Sequence, residues 1–173
     1  GGDDVLTGTT GDDYLDGGRG NDSIAGGDGA DEIFGRGGND FLNGGDGADR
    51  LEGGKGNDKA SGDDGDDVFV ATCGDGNDFY SGGQVTDTLD LSATSASATV
   101  SLERDTASSF DIGFDRLSSV ENVIGGGGDD RITGDNGANR LDGGAGADTI
   151  NGGRGNDVTI GGNAGVILGN PPA

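Results

Sequence analysis

Apolar side chains fall on every ninth position through the first part of the chain: Leu6, Leu15, Ile24, Ile33, Leu42, Leu51, Ala60 and Phe69, with only Ala60 small. A period of nine matches neither the 3.6-residue period of an amphipathic helix nor the two-residue alternation of a long strand. It is an internal repeat, and a repeat takes precedence over any local pattern. Each unit offers one apolar residue inside a triplet xUx. A triplet is long enough for a minimal strand that points one side chain inward and its neighbours outward. The other six residues of the unit must reverse the chain. Two units then close one coil with two short strands, and stacked coils build two parallel sheets around a thin aliphatic core. The predicted fold class is all-β, a parallel β-roll.

The phase slips by two residues after Phe69 and is restored around Asp78 and Tyr80. Residues 83–120 lose the nine-step and are richer in Ser and Thr. They still alternate, as in "ATVSL", where Ala98, Val100 and Leu102 share a face, so short strands with loops are expected. Leu89, Leu91, Val100 and Leu102 need an apolar surface to cover, which favours continuation of the roll. From Glu121 the step returns, with Val123, Ile132, Leu141, Ile150 and Thr159 in the apolar column, and the array ends near Gly162. The expected organisation is a first repeat block at 1–82, a spacer at 83–120, a second block at 121–162 and a C-terminal cap at 163–173. The chain begins inside a repeat without an initiator Met, which points to a piece of a longer protein.

The polar positions sharpen the picture. Two residues before each apolar residue of the first block stands an aspartate: Asp4, Asp13, Asp22, Asp31, Asp40, Asp49, Asp58 and Asp67. Two residues before each of these stands a glycine. Asp78, Asp130, Asp148 and Asp157 continue the column, interrupted by Glu121 and Asn139. Glycine makes up 42 of 173 residues, the formal charge is −23, and there are 29 Asp against 4 Glu. A face made only for solubility draws on both acids, and a helical one favours Glu. Asp has a short reach suited to turns and to hard cations. Charge of this sign excludes nucleic acid and anionic lipid as partners. No apolar run is long enough for a membrane span.

Stacked coils would place Asp4, Asp22, Asp40 and Asp58 on one edge and Asp13, Asp31, Asp49 and Asp67 on the other. Neighbours spaced like adjacent strands, about 4.8 Å apart, repel by about 3.5 kcal/mol at an effective dielectric near 20. A cation between the turns reverses the sign of that term. The donors on offer are carboxylates and the turn carbonyls that glycine frees, those of Gly18, Gly20, Gly27, Gly29, Gly45 and Gly47 among them. An oxygen-only shell in a flexible loop suits Ca²⁺, while Mg²⁺ prefers a stricter octahedron and keeps its waters. Zinc favours His and Cys, of which the chain has none and one. Counting intervals along both edges gives about eight calcium ions.

The unit GGxGxDxUx, seen in "GGRGNDSIAGGDGADEIF" at residues 17–34, resembles the RTX (repeats-in-toxin) family of secreted, haemolysin-type calcium-binding proteins. The resemblance covers residues 1–82 and 121–162; it departs at Glu121, Asn139 and Thr159 and at the glycine pairs that read Gly8-Thr9 and Gly35-Arg36. It implies a calcium-binding module that is secreted, extracellular or at the cell surface, exported by type I secretion machinery and folded by calcium outside the cell. A calcium-stiffened spacer of a surface adhesin, or an accessory module of a secreted protease, lipase or polysaccharide-modifying enzyme, is the alternative. No enzyme is expected within the chain itself. Its carboxylates are committed to the repeat, it has no Trp and two Tyr for a sugar platform, and its protein or polysaccharide partner is unknown. Passing GxGxxG strings lack a βαβ unit, no EF-hand Glu follows, and "NDS" at Asn21 sits inside a turn. Cys73, with no His to activate it, is expected as a small packing residue. The basic residues, among them Arg19, Arg50, Lys55, Lys59, Arg131, Arg140 and Arg154, fall at variable outward positions that favour solubility and form no polyanion cluster.

Overall fold

The computed structural model describes residues 1–162 and 165–168. Strands alternate between two sheets as the nine-step requires. One sheet takes β1 (Val5–Thr7), β3 (Ser23–Asp28), β5 (Phe41–Asp46), β7 (Lys59–Asp64), β9 (Phe79–Gln84), β11 (Thr99–Ser101), β12 (Thr106–Ser109), β13 (Gly113–Ser118), β15 (Arg131–Thr133), β17 (Thr149–Asn151) and β19 (Val166–Leu168). The other takes β2 (Tyr14–Arg19), β4 (Glu32–Gly37), β6 (Arg50–Lys55), β8 (Val68–Val70), β10 (Thr88–Asp90), β14 (Asn122–Ile124), β16 (Arg140–Asp142) and β18 (Val158–Ile160). The register follows the period: Leu6 lies beside Ile24, Ile24 beside Leu42, Leu15 beside Ile33 and Ile33 beside Leu51. Identical columns therefore stack, and a one-residue slip would send a whole apolar column to solvent.

The apolar column forms one continuous core. Ile24, Ile33, Leu42, Leu51, Ala60, Phe69 and Tyr80 are buried, and so are Leu89, Val123, Ile132, Leu141 and Ile150. Leu6 and Leu15, in the terminal coil, pack against it while partly exposed. Among the described residues no helix is long and apolar enough to cross a membrane, and the one helical turn is Leu102–Arg104.

Two features depart from the regular pattern. In the first block β2 to β7 and β9 run six residues, through the position of the glycine pair, instead of the three of xUx: Gly27 pairs with Gly45 and Gly18 with Arg36. The second block keeps the three-residue strands. Within the spacer the eleven-stranded sheet is not wholly parallel. β12 runs antiparallel to both β11 and β13, and this pair of hairpin contacts inserts extra strands into the stack. β13 then rejoins β9, and β11 supports β15. Leu89, Leu91, Val100 and Leu102 all enter the shared core. Of the C-terminal segment, Val166–Leu168 pairs with β17; a capping role for the rest of 163–173 lies outside the described residues.

Candidate metal centre

Each repeat aspartate sits immediately before a strand, where stacked coils bring equivalent turns into contact. The first edge joins Asp4, Asp22, Asp40, Asp58 and Asp78. The backbone N–H of each donates to Oδ1 of the next, at 2.8, 2.7, 2.8 and 2.7 Å. The second edge joins Asp13, Asp31, Asp49 and Asp67 in the same way, at 2.8 Å each. In the second block Asp130 N–H donates to Asp148 Oδ1 at 2.9 Å, and Asn139 N–H to Asp157 Oδ1 at 3.1 Å. One carboxylate oxygen of each residue thus joins coil to coil.

The other oxygen is what points to a ligand. Oδ2 of Asp22, Asp31, Asp40, Asp49, Asp58, Asp67, Asp87, Asp115, Asp148 and Asp157 is buried and has no hydrogen-bond partner. A buried carboxylate oxygen without a donor carries a desolvation cost of about 1–3 kcal/mol or more. None of the three ion pairs among the described residues reaches one of these oxygens. Burial pushes Asp49 and Asp87 up to about 6, and Asp58 and Asp67 to about 7, with neighbouring carboxylates adding to the shift against the opposing backbone N–H bonds. Asp40 and Asp130 are raised for the same leading reason.

The glycines shape the space around those oxygens. A Cβ on the first glycine of a pair would collide with Oδ2 five residues on: Gly17 with Asp22, Gly26 with Asp31, Gly35 with Asp40, Gly44 with Asp49, Gly53 with Asp58. The fourth-position glycines Gly20, Gly29, Gly38, Gly47, Gly56 and Gly65 carry positive φ, and a Cβ on Gly38 or Gly47 would strike the carbonyl oxygen of Gly20 or Gly29 in the coil before. Of the carbonyl donors expected from the sequence, those of Gly20, Gly27 and Gly29 face the neighbouring coil in this way; all six of those glycines hold positive φ.

The donor set fits a hard divalent cation. Among the described residues no three acidic, His or Cys side chains converge as a side-chain cage. An ion here would take its shell from paired ladder carboxylates plus turn carbonyls, the mixed oxygen set that suits Ca²⁺. Such an ion supplies the positive charge that the buried Oδ2 atoms lack, and the chain's own residues supply its position.

The turns are not equivalent. Thr9 donates from N–H and Oγ1 to Asp13 Oδ2, at 2.6 and 2.9 Å. The Tyr80 hydroxyl donates to Asp78 Oδ2 at 3.0 Å, and Gly126 N–H to Asp130 Oδ2 at 2.9 Å. Asn139 Oδ1 accepts from Asp135 N–H at 2.9 Å. Asp4, at the exposed end, lies 3.7 Å from the N-terminal amine. The two departures from the glycine pair therefore differ. At Gly8-Thr9 the side chain occupies the carboxylate. At Gly35-Arg36 Asp40 Oδ2 stays free, and Arg36 bears φ 76 while its guanidinium reaches Asp16 at 3.0 Å and lies over Phe34.

Sequence reasoning missed three buried aspartates. Asp87 continues the second edge, taking Asp67 N–H on Oδ1 at 3.0 Å, and Asp115 continues the first, taking Asp78 N–H at 2.9 Å. The signal for Asp87 was present, nine residues after Asp78 and two before Leu89, but Val85 stands where glycine was sought. Gly113, Asp115 and Leu117 repeat the glycine-aspartate-apolar spacing without the period. Asp75, in the two-residue insertion, accepts Thr72 N–H at 2.6 Å. A second ladder was also missed. Asn21, Asn39, Asn57 and Asn77 pass N–H to Oδ1 from coil to coil at 2.7–2.9 Å, in the opposite direction to the aspartates. Asn21 is thereby tied into the stack through both its N–H and its side chain. Cys73 corrects an expectation: it is exposed rather than packed, because the insertion lifts it from the core.

The family model described as RTX calcium-binding nonapeptide repeat (4 copies) matches residues 1–33, 16–51, 25–60, 43–72, 74–89 and 124–163, together well over half of the chain. A comparison with curated proteins finds no match.

Proposed function

The chain belongs to the RTX calcium-binding nonapeptide-repeat family, and from that premise we propose that it is a module of a secreted bacterial protein that folds when it meets extracellular calcium. The observation that carries this is the run of buried, unpartnered Oδ2 atoms along two edges of a chain with net charge −23. Without a cation each is a desolvated acceptor beside others of its kind, and one apolar residue per unit is a thin core to set against them.

In this reading Asp22, Asp31, Asp40, Asp49, Asp58, Asp67, Asp148 and Asp157 hold calcium with carbonyls from the glycine turns, including Gly18, Gly20, Gly27, Gly29, Gly45 and Gly47. About eight ions follow from the stacking count. Asp4, Asp13, Asp78 and Asp130 contribute less, since one is exposed and the others have an internal donor on Oδ2. Ions that bind only the folded state stabilise it by mass action, about 1.4 kcal/mol per site at ten times its Kd. Low cytosolic calcium would leave the acidic chain unfolded and exportable by type I secretion, and millimolar calcium outside would order it. No activity is assigned to the chain itself, and any catalytic partner domain would lie outside it.

Calcium titration of chelator-treated protein, followed by circular dichroism, tests the proposal. The expected result is a cooperative gain of β signal in the range of about 10⁻⁴ to 10⁻³ M. A chain fully folded in excess chelator overturns it.

A further inference from the structure

The two sheets present different outer faces. On the eight-stranded sheet the residues flanking the inward position of each strand include Asp16, Glu32, Glu52, Asp90 and Asp142. The ion pairs of Arg36 with Asp16 and of Arg50 with Glu52 lie on that sheet. On the eleven-stranded sheet the same flanking positions hold no acid among the described residues, in a chain with 33 Asp and Glu. They do hold three cations, Lys59, Arg116 and Arg131, which no ion pair among the described residues reaches. Strand register brings two of these into a row with exposed rings. Phe41 lies beside Lys59, Lys59 beside Phe79, and Phe79 beside Arg116. The sequence shows these as isolated outward positions; pairing of distant strands gathers them. Phe41 and Phe79 are 51% and 39% exposed. An open depression of about 240 Å³ joins Phe41, Lys59 and Phe79, and another of about 350 Å³ joins Lys59, Phe79, Phe114 and Arg116. A second row in register, Ser61, Ser81 and Ser118, runs alongside. The acids at its borders are already engaged or turned inward. Asp58 and Asp78 are buried, and Asp63 and Asp64 accept from Asn43, Ser61 and Gln84.

We propose that this face, across β5, β7, β9 and β13, binds an acidic polysaccharide that carries a carboxylate on alternate sugars. Rings and cations alternate along the row with the strand spacing, so Lys59 and Arg116 stand about 10 Å apart, as do Phe41 and Phe79. An extended sugar chain laid across the strands advances by about one strand spacing per ring. Carboxylates on every second sugar then meet Lys59 and Arg116 through charge-assisted hydrogen bonds, Arg116 with its planar fork. The sugars between them set their apolar faces against Phe41 and Phe79, rings that supply the platform despite the absence of Trp. Ser81 and Ser118 offer hydroxyls beside the track. An extended acidic peptide is out of step, because side chains of one face recur about every 6.6 Å. Sparse charge on the ligand also suits a chain whose net charge of −23 repels denser polyanions.

The surface is tested in excess calcium, where the chain is folded whether or not calcium drives the folding, so its failure leaves the folding proposal untouched. The probe is a hyaluronan hexasaccharide, whose uronic acids alternate with uncharged N-acetyl sugars, and amide NMR shifts of the full chain report its binding. Shifts are expected to concentrate on β5, β7, β9 and β13, with affinity falling as salt rises. Lys59→Gln combined with Arg116→Gln should weaken binding by roughly tenfold or more. Phe79→Ala should weaken it severalfold, and Arg140→Gln, on the other sheet, by less than about twofold. No binding, shifts centred elsewhere, or unchanged affinity in the folded double variant overturns the proposal. Equal affinity for chitohexaose, which lacks carboxylates, or for a poly-glutamate peptide, which lacks sugars, overturns it as well. If the double variant does not fold, the shift map of the unmodified chain and its preference among the three probes decide.

Discussion

The backbone N–H of Asp31 donates to Oδ1 of Asp49 at 2.8 Å, while Oδ2 of the same carboxylate is buried with no partner. One oxygen attaches coil to coil, and in the reading proposed above the other holds a cation. Asp49→Asn keeps an oxygen for the first purpose and removes the charge needed for the second. Its effect should change sign with calcium. In chelator the variant keeps the same or more residual β signal, since a desolvated charge is gone. In saturating calcium it loses about 1 kcal/mol or more, since a charged ligand is gone. Circular dichroism in chelator and thermal unfolding in calcium check this on both proteins, and an equal loss in each buffer would count against it.

The raised carboxylates give the metal-free chain a defined pH dependence. Asp58 and Asp67 are pushed up to about 7 and Asp49 to about 6, each chiefly by burial, against an ordinary value of 3.8. Between those values the folded state binds more protons than the unfolded one, so folding weakens as pH rises. In chelator, stability present near pH 4 should be lost progressively up to about pH 7. Melting temperatures in EDTA from pH 4 to 8 measure it. A rise toward neutral pH would contradict the burial of these groups.

Gly44 and Gly37 separate two uses of glycine. A Cβ at Gly44 would collide with Asp49 Oδ2, whereas at Gly37 the nearest atom is 4.0 Å away and φ is not positive. Gly44→Ala should raise the calcium concentration needed for folding severalfold, by displacing a ladder carboxylate. Gly37→Ala should change stability by no more than about 0.5 kcal/mol. Calcium titrations of the two variants side by side test the contrast.

Val85 holds φ 84, a conformation poorly suited to a β-branched residue, at the place where the repeat puts glycine. It is exposed, so no core contact rewards the strain. Val85→Gly should stabilise the calcium-loaded protein by about 1 kcal/mol, the relief of backbone strain exceeding the extra entropy of an unfolded glycine. Denaturant unfolding in calcium reads this directly, and a destabilised variant would show that Val85 has an unrecognised packing role.

Much of the architecture was legible because every coil makes the same local demands. The column of Leu15, Ile33 and Leu51 had to face one core, and Asp13, Asp31 and Asp49 had to follow in register. A fixed period therefore specified two sheets, two acidic edges and the chemistry of their ligand. Repetition could not say which oxygens are free. Asp13 and Asp49 look alike along the chain, yet Thr9 donates to Oδ2 of one and nothing donates to Oδ2 of the other.

Nor could the period locate Asp115. It stands 37 residues after Asp78 along the chain but accepts that residue's N–H. A hairpin inserted in a sheet obeys strand pairing rather than repeat length. The sequence by itself determined the solenoid, because its signal is local and repeated in each unit. Only the tertiary structure decided which carboxylate oxygens no internal donor reaches, because that depends on single donors brought in from the surrounding turns.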